Sequence, residues 1–287
     1  MESRISGHTG VLALIGSPVG HSGSPAMYNY SFKRLGLDYV YVAFDVKKEQ
    51  VAAAVDAVRT FGLRGCNVTM PCKTEIVTYM DALSPAARMC GAVNTVVNDD
   101  GRLTGHMTDG EGFVNNLRDH GIDVAGRRVV IAGSGGAATA IQVQCALDGV
   151  RELVIFNRTV EKAEQTAERI RAEVPSCTVR VHDIADTDTL TREIRGCEIF
   201  INGTSVGMAP EDGETVVKDT GAFYPGLVVA DIVYHPKETR LLREARAAGC
   251  TCVGGKGMLL WQGVSAFRLY TGQEMPVEEV KARFFGD

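Results

Sequence analysis

The part of the chain after residue 127 alternates short apolar runs with stretches of helical spacing, and a glycine-rich loop follows the first run. The apolar residues 129–132 lead directly into Gly133-Ser134-Gly135-Gly136-Ala137-Ala138. Between a strand and a helix, this Gly-x-Gly-x-x-Ala pattern is typical of a dinucleotide-binding turn: Gly133 turns the chain, Gly135 lets the backbone approach a pyrophosphate, and Ala138 permits close helix packing. The pattern predicts a doubly wound parallel sheet, with a purely structural turn as the alternative.

Two alternating series of strands and helices predict two α/β domains. The first series has strands at 11–15, 39–44, 65–69 and 92–97 and helices at about 25–35 and 51–61. The second has strands at 129–132, 153–156, 179–182, 199–201, 227–232 and 250–253, with helices at 138–148, 161–174, 187–195 and 238–248. Residues 258–270 and 277–285 are predicted to be helical. We expect a parallel or mixed α/β substrate domain at 1–108 and 256–287, a Rossmann domain at 109–255 and a cleft between them.

Composition excludes several classes of protein. A net charge of −5 and a pI near 5.7, without a run of basic residues, argue against nucleic acid or an anionic membrane as a partner. The six histidines lack metal-ligand spacing, and the eight cysteines include no Cys-x-x-Cys, so we expect no metal and reduced, mostly buried thiols. The apolar run 11–15 is too short for a signal peptide, and a cytoplasmic protein is expected, as a monomer or homodimer.

The residues after the second strand of the Rossmann series decide which dinucleotide fits. They are Asn157-Arg158-Thr159, followed by Lys162. An acid at this position would bind the ribose 2′-hydroxyl of NAD, whereas basic and hydroxyl groups accept the 2′-phosphate of NADP. Because no acid ends the strand and Arg158 offers a planar fork, NADP is the preferred prediction. Glu161 nearby leaves NAD open.

Two features of the first domain indicate a reaction. Ser22-Gly23-Ser24-Pro25 begins a helix, where the serines either cap the helix or bind a small carboxylate together with backbone N–H groups. Lys73 follows a short strand and Asp109 precedes the nucleotide-binding series, a combination suited to proton transfer beside a redox cofactor. Taken alone, Lys73 would more often be a solvated surface residue.

Ordered motifs along nearly the whole chain resemble the shikimate dehydrogenase family, most closely its quinate/shikimate dehydrogenase branch. They are His21-Ser22-Gly23-Ser24-Pro25, Asn67-Val68-Thr69-Met70-Pro71-Cys72-Lys73, Gly91-Ala92-Val93-Asn94-Thr95, Thr108-Asp109-Gly110, Gly133-Ser134-Gly135-Gly136, Asn157-Arg158-Thr159, Asn202-Gly203-Thr204-Ser205 and Gly255-Lys256-Gly257-Met258-Leu259. The resemblance implies reversible oxidation of shikimate to 3-dehydroshikimate, or of quinate to 3-dehydroquinate, with hydride transfer to NAD(P).

The resemblance also implies a role for each matching residue. Lys73 matches the catalytic lysine, and Asp109 matches a group that binds a ring hydroxyl. Because a carboxylate beside Lys73 favours the ammonium, we expect Asp109 to orient the substrate hydroxyl and Lys73. Ser22 and Ser24 match the carboxylate binders; Asn67, Thr69, Asn94 and Gln262 match groups that bind ring hydroxyls. Tyr234 matches a residue near the substrate, with a core aromatic as the alternative. The implied cofactor-binding residues are Gly133, Ser134, Gly135, Gly136, Ala137, Asn157, Arg158, Thr159, Lys162, Thr204, Ile232, Gly255 and Met258.

Departures from the family pattern leave the substrate open. Met107 replaces the usual asparagine before Thr108, Cys72 replaces an aromatic residue before Lys73, and Lys256 separates two glycines. Quinate or an amino analogue of shikimate therefore remains an alternative substrate. A ligand sensor without catalysis is a further alternative, against which Lys73 and Asp109 argue.

Overall fold

The computed structural model describes residues 5–286, which form two compact units. Residues up to Thr108 and from Gln262 onward belong to the first unit, and residues from Asp109 to Trp261 to the second. This division places residues 256–261 in the second unit, whereas the sequence assigned them to the first domain.

The first unit contains a mixed sheet of six strands. In chain order they are β1 (Gly10–Gly16), β2 (Tyr39–Asp45), β3 (Gly65–Val68), β4 (Ala82–Leu83), β5 (Thr95–Asp99) and β6 (Arg102–His106). The spatial order is β2-β1-β3-β5-β6-β4. The strand β1 is parallel to β2 and β3, whereas β5 is antiparallel to β3 and β6. The helices are α1 (Ser24–Leu35), α2 (Val51–Thr60) and α3 (Pro85–Cys90).

The antiparallel part of this sheet is a hairpin that the apolar pattern did not predict beyond its first strand. Asp100 and Gly101 join β5 to β6, with φ values of 52° and 92°. A two-residue turn with both φ angles positive is the turn that best matches the twist of a hairpin, and Asp-Gly favours it. The Asp-Gly pair was therefore the sequence signal for β6.

The second unit contains six parallel strands flanked by helices, as the sequence predicted. The strands are β7 (Arg128–Ala132), β8 (Glu152–Asn157), β9 (Thr178–Asp183), β10 (Ile199–Asn202), β11 (Val228–Asp231) and β12 (Thr251–Val253). Their spatial order is β12-β11-β10-β7-β8-β9, that of a doubly wound dinucleotide-binding sheet. The helices are α4 (Thr108–Asp119), α5 (Gly136–Leu147), α6 (Val160–Glu173), α7 (Thr187–Arg195) and α8 (Arg240–Ala247).

The C-terminal part of the chain is helical. The long helix α9 (Lys256–Thr271) is followed by α10 (Val277–Val280) and a π-helical turn, Lys281–Phe285. The sequence predicted one regular helix over 277–285, whereas only its first turn is α-helical. No helix among residues 5–286 is long and apolar enough to cross a membrane. The eight cysteines form no disulfide within the described residues, and six of them are buried.

Aromatic residues fill the core of the first unit. Tyr28 of α1 stacks on Tyr41 of β2, with ring centroids 4.4 Å apart, and Phe32 stacks on Phe267 of α9 at 5.4 Å. All four side chains are at most 1 % exposed. Such offset pairs add to the free energy of burial by about 1 kcal/mol each. The first pair fixes α1 against β2 and the second fixes it against α9, which together position the first turn of α1.

Candidate active site

The glycine-rich loop lies where the strand order of the second sheet reverses, which is where doubly wound proteins bind ligands. It connects β7 to α5, and the next strand on the other side is β10. Gly133 has a φ of +105°, and a Cβ atom there would lie 2.8 Å from the carbonyl oxygen of Gly203. Only glycine fits this close approach. A Cβ atom at Gly135 would meet no heavy atom within 4 Å, so the open side of the loop is bare backbone there, as a pyrophosphate site requires.

The loop after β10 packs against the glycine-rich loop and the beginning of α5. The N–H of Gly203 donates to the carbonyl oxygen of Ala132 at 2.7 Å, and a Cβ atom on Gly203 would lie 2.8 Å from the Cβ of Ala138. Ala138 is fully buried, so its small side chain permits the contact. The helix α5 begins at Gly136 after Gly135, whose extended backbone carries no side-chain cap. The N–H groups of its first turn are therefore a suitable anion site.

Two side-chain amides hold the glycine-rich loop in shape. Gln142 of α5 donates from Nε2 to the carbonyl oxygen of Gly133 at 2.7 Å and to Oγ of Ser134 at 3.3 Å. Asn157, the last residue of β8, accepts from the N–H of Ser134 at 3.1 Å and donates to the carbonyl oxygen of Thr159 at 2.8 Å. Asn157 thus shapes the loop, a function the sequence did not predict. Gln142 was missed, because nothing in its spacing distinguishes it from other helical residues.

The predicted 2′-phosphate group of residues lies directly after β8. Arg158 and Thr159 follow the strand, Lys162 lies in the first turns of α6, and all are exposed. They follow Asn157 at the carboxyl edge of the sheet, and Asn157 is hydrogen-bonded to Ser134 of the glycine-rich loop. An anionic group at this edge would meet two cations and a hydroxyl.

Two further loops at the carboxyl edge are joined by Asp231, the last residue of β11. Its carboxylate accepts from Asn202 Nδ2 at 3.0 Å, from the N–H of Val233 at 3.0 Å and from Thr239 Oγ1 at 2.7 Å. Asn202 in turn accepts from Thr204 Oγ1 at 2.6 Å. Burial raises the pKa of Asp231 to about 6, although these hydrogen bonds oppose the rise. Asn202 and Asp231 therefore fix the loop carrying Thr204. Neither was predicted from the sequence to be a site residue.

The structure also shows where the other predicted residues of the second unit lie. Tyr234 is 53 % exposed, which excludes the core-aromatic alternative. Gly255 lies against Ile232, because a Cβ atom at Gly255 would be 2.2 Å from the carbonyl oxygen of Ile232. Met258 is largely buried, with 8 % of its surface exposed. Asp109 is half-buried in the first turn of α4.

In the first unit, the predicted carboxylate site lies at the beginning of α1. The N-cap position is Gly23, without a side-chain cap, so neither serine caps the helix by its hydroxyl in the usual way. Ser22 Oγ instead accepts from the N–H of Ser24 at 3.2 Å. Both serines are half-buried. The structural alternative of a conventional serine cap is thus wrong.

The predicted hydroxyl-binding residues Asn67, Thr69 and Asn94 lie on neighbouring segments at one end of β3 and β5. Asn67 is in β3, Thr69 follows that strand and Asn94 precedes β5. Asn67 is 6 % and Asn94 2 % exposed, and Nδ2 of Asn67 donates to the carbonyl oxygen of Asn94 at 3.3 Å. The sheet therefore brings together residues that are 27 positions apart in sequence.

Lys73 and Gln262 are both half-buried in the first unit. The carbonyl oxygen of Lys73 accepts from the N–H of Val93 at 2.8 Å, which ties the lysine segment to the segment carrying Asn94. Gln262 lies on α9, where Tyr28 donates from its hydroxyl to the carbonyl oxygen of the next residue, Gly263, at 3.0 Å. The aromatic core thus anchors the helical turn that carries Gln262.

Comparison with known proteins identifies the family. Residues 14–96 match the model of the shikimate dehydrogenase substrate binding domain, 116–211 that of shikimate / quinate 5-dehydrogenase, and 255–283 that of the shikimate 5'-dehydrogenase C-terminal domain. Shikimate dehydrogenase (NADP(+)) of Listeria monocytogenes serotype 4b is 49 % identical over 288 residues, which cover 99 % of each chain. The chain belongs to the shikimate dehydrogenase family.

Solved structures of the family have the same fold. The crystal structure of Listeria monocytogenes shikimate 5-dehydrogenase in complex with shikimate and NAD has a TM-score of 0.95 at 49 % identity, with 98 % of each chain covered. Quinate dehydrogenase from Corynebacterium glutamicum in complex with NAD has a TM-score of 0.87 at 31 % identity, covering 96 % of this chain and 99 % of that one. Of these two structures, the one named for shikimate has the higher identity.

Two departures from the family pattern lie in the core of the first unit. Cys72 is fully buried, and its Sγ donates to the carbonyl oxygen of Val46 at 3.2 Å. Met107 is 5 % exposed. Both side chains therefore pack inside the unit, as apolar residues and thiols commonly do. Lys256, the third departure, begins α9 and is half-buried.

Proposed function

We propose that the chain catalyses the reversible oxidation of the 3-hydroxyl of shikimate to 3-dehydroshikimate, with NADP as the cofactor. The observation that carries this proposal is the 49 % identity, over 99 % of both chains, to a relative named shikimate dehydrogenase (NADP(+)). The polar residues of the first unit and the glycine-rich loop of the second supply groups suited to the two ligands.

In this proposal Ser22 and Ser24 bind the substrate carboxylate. Their hydroxyls and the N–H groups at the beginning of α1 form an anion site that needs no arginine. Asn67, Thr69, Asn94 and Gln262 bind ring hydroxyls, and the exposed Tyr234 contributes a further hydroxyl. Such a set recognises the substrate by hydrogen bonds, which discriminate strongly against analogues that lack a hydroxyl.

Proton transfer is assigned to Lys73. Its amine takes the proton of the 3-hydroxyl while the carbon–oxygen double bond forms, and in the reducing direction its ammonium returns that proton. Asp109 is assigned the orienting role, with its carboxylate accepting a hydrogen bond from a ring hydroxyl of the substrate. When bound, the oxidised nicotinamide supplies the acceptor for the hydride that leaves the ring carbon.

The cofactor is assigned to the carboxyl edge of the second sheet. Its pyrophosphate would contact the backbone of residues 133–137, where Gly135 presents no Cβ on the open side of the loop and α5 begins. Arg158, Thr159 and Lys162 would bind the 2′-phosphate, and Asn157 would shape this edge. Thr204, Ile232, Gly255 and Met258 complete the proposed set. Arginine, with its planar fork, is well suited to a phosphate.

Replacing Arg158 with alanine is expected to raise the KM for NADP by about 10- to 100-fold and to leave the KM for NAD within about twofold. The loss corresponds to one charge-assisted hydrogen bond to the 2′-phosphate. Initial rates against each cofactor measure it. Arg243→Ala, which removes an exposed arginine of α8, is the matched control. Equal effects on both cofactors would contradict the assigned role.

The absorbance of the reduced nicotinamide tests the proposed function directly. The purified chain is mixed with shikimate or quinate and with NADP or NAD, in all four combinations. The proposal expects the highest kcat/KM for shikimate with NADP. Higher kcat/KM for quinate would overturn the substrate assignment. If no pair changed the absorbance while shikimate still bound in calorimetry, the sensor alternative would replace the enzyme.

A further inference from the structure

The two asparagines proposed to bind ring hydroxyls belong to a continuous row of hydrogen bonds inside the first unit. The hydroxyl of Tyr41 donates to Oδ1 of Asn67 at 2.9 Å, and Nδ2 of Asn67 lies 3.1 Å from Oγ1 of Thr95. Thr95 Oγ1 donates to Oδ1 of Asn94 at 3.1 Å, and Nδ2 of Asn94 donates to Oγ1 of Thr108 at 3.0 Å. Each asparagine is therefore flanked by hydroxyl residues that have no proposed contact with substrate.

Backbone groups decide which side-chain atoms of this row donate and which accept. The carbonyl oxygen of Asn94 can only accept, so it keeps Nδ2 of Asn67 on its own side and Oδ1 toward Tyr41. The N–H of Thr108 can only donate, and at 2.7 Å it keeps Oδ1 of Asn94 toward itself. The hydroxyls complete this arrangement: Tyr41 donates to Asn67, and Thr95 accepts from Asn67 and donates to Asn94, so each favours the same amide orientation.

Tyr41 is itself held firmly. Asn29 of α1 accepts from the N–H of Tyr41 at 2.8 Å and donates to its carbonyl oxygen at 2.7 Å. The ring stacks on Tyr28 with an angle of 8° between the planes, and it is 1 % exposed. Burial raises the pKa of Tyr41 well above its ordinary value, so the phenol remains a proton donor. A rigid, buried donor of this kind can orient an amide.

We propose that Tyr41 and Thr95 are positioning residues, which act together with these backbone groups to hold the amide orientations of Asn67 and Asn94 and thereby the donors and acceptors that these residues present to the substrate's ring hydroxyls. This inference rests on the proposed function. An amide that turns over exchanges its oxygen for its NH₂ group, and a hydroxyl placed to donate then meets a donor. Loss of either positioning residue therefore weakens substrate binding without touching the cofactor.

Removing the hydroxyl of Tyr41 tests the proposal. Tyr41→Phe keeps the stacked ring and is expected to raise the KM for shikimate by about 5- to 30-fold, with the KM for NADP unchanged within about twofold. Thr95→Val is expected to act in the same direction, while Thr95→Ser keeps the hydroxyl and restores the wild-type KM. Tyr39→Phe makes the same chemical change on the same strand and serves as the matched control, with no effect expected.

The outcomes separate this inference from the function on which it rests. A wild-type chain without activity on shikimate would overturn the proposed function, and this inference with it. An active wild type whose shikimate KM is unchanged in both Tyr41→Phe and Thr95→Val would overturn the positioning role alone. So would equal increases in both KM values with a lowered unfolding midpoint, because they would indicate a general loss of structure.

Discussion

Replacing Lys73 with alanine is expected to lower kcat by about 10²- to 10⁴-fold while the KM for shikimate changes by less than about threefold. A positioned general base or acid contributes a factor of this size, and its effect is confined to the step in which the proton moves. Lys73 lies on a segment that the N–H of Val93 fixes to the Asn94 segment, so alanine should leave the neighbouring hydroxyl-binding residues in place. Initial rates in both directions measure the effect.

Lys48→Ala is the matched control for Lys73→Ala. Lys48 is an exposed lysine of the same unit, and its ammonium lies 2.8 Å from the carboxylate of Glu75. Its loss should leave kcat within about twofold, since exposed ion pairs contribute little. Wild-type turnover in Lys73→Ala would exclude the lysine from proton transfer. Loss of shikimate affinity with kcat retained would instead make it a binding residue.

The sequence predicted the second unit far better than the first. Every strand of its parallel sheet and each helix between them was predicted, because buried parallel strands are continuous apolar runs separated by helical periodicity. In the first unit the antiparallel β6 was not predicted, since Arg102–His106 mixes charged, polar and small residues. The turn residues Asp100 and Gly101 contained the missing information.

The polar residues that shape the site could not be predicted from sequence spacing. Asp231 joins segments that are 29 positions apart through a buried hydrogen bond from Asn202, and Gln142 of α5 donates a buried hydrogen bond back to Gly133. Such partners are set by how strands and helices pack, and no local pattern records that. Sequence motifs identified the candidate binding residues, whereas the structure was needed to show which hydrogen bonds hold them in place.

Replacing Glu193 with alanine is expected to lower the free energy of unfolding by about 3 kcal/mol. Glu193 of α7 is 8 % exposed and accepts hydrogen bonds from Arg128 and from Arg180, the latter at 2.9 Å. Glu152 completes the cluster, at 2.8 Å from Arg128 and 2.6 Å from Arg180. Breaking a buried ion pair costs about 3–5 kcal/mol. The low end applies because Arg180 is 41 % exposed and both arginines keep Glu152.

The loss of stability should leave catalysis unchanged. Arg128 and Glu152 are the first residues of β7 and β8, so the cluster lies at the amino edge of the sheet, opposite the glycine-rich loop. Urea unfolding measures the stability, and the KM for NADP should stay within about twofold of wild type. Glu164→Ala removes an exposed partner of Arg171 and should cost less than about 1 kcal/mol. If both variants lost the same free energy of unfolding, burial of the cluster would contribute nothing to stability.

Low pH should reduce the difference in the free energy of unfolding between the wild type and Glu193→Ala. Burial raises the pKa of Glu193, but hydrogen bonds and charge from Arg180 and Arg128 outweigh it and hold the pKa below its ordinary 4.5. Because the folded-state pKa is depressed, the stabilisation is complete above the unfolded value and declines as pH falls through the folded one. The difference between wild type and variant should therefore be full at neutral pH and shrink below about pH 4. A difference that stayed constant into acid would assign the loss to packing of the side chain rather than to its charge.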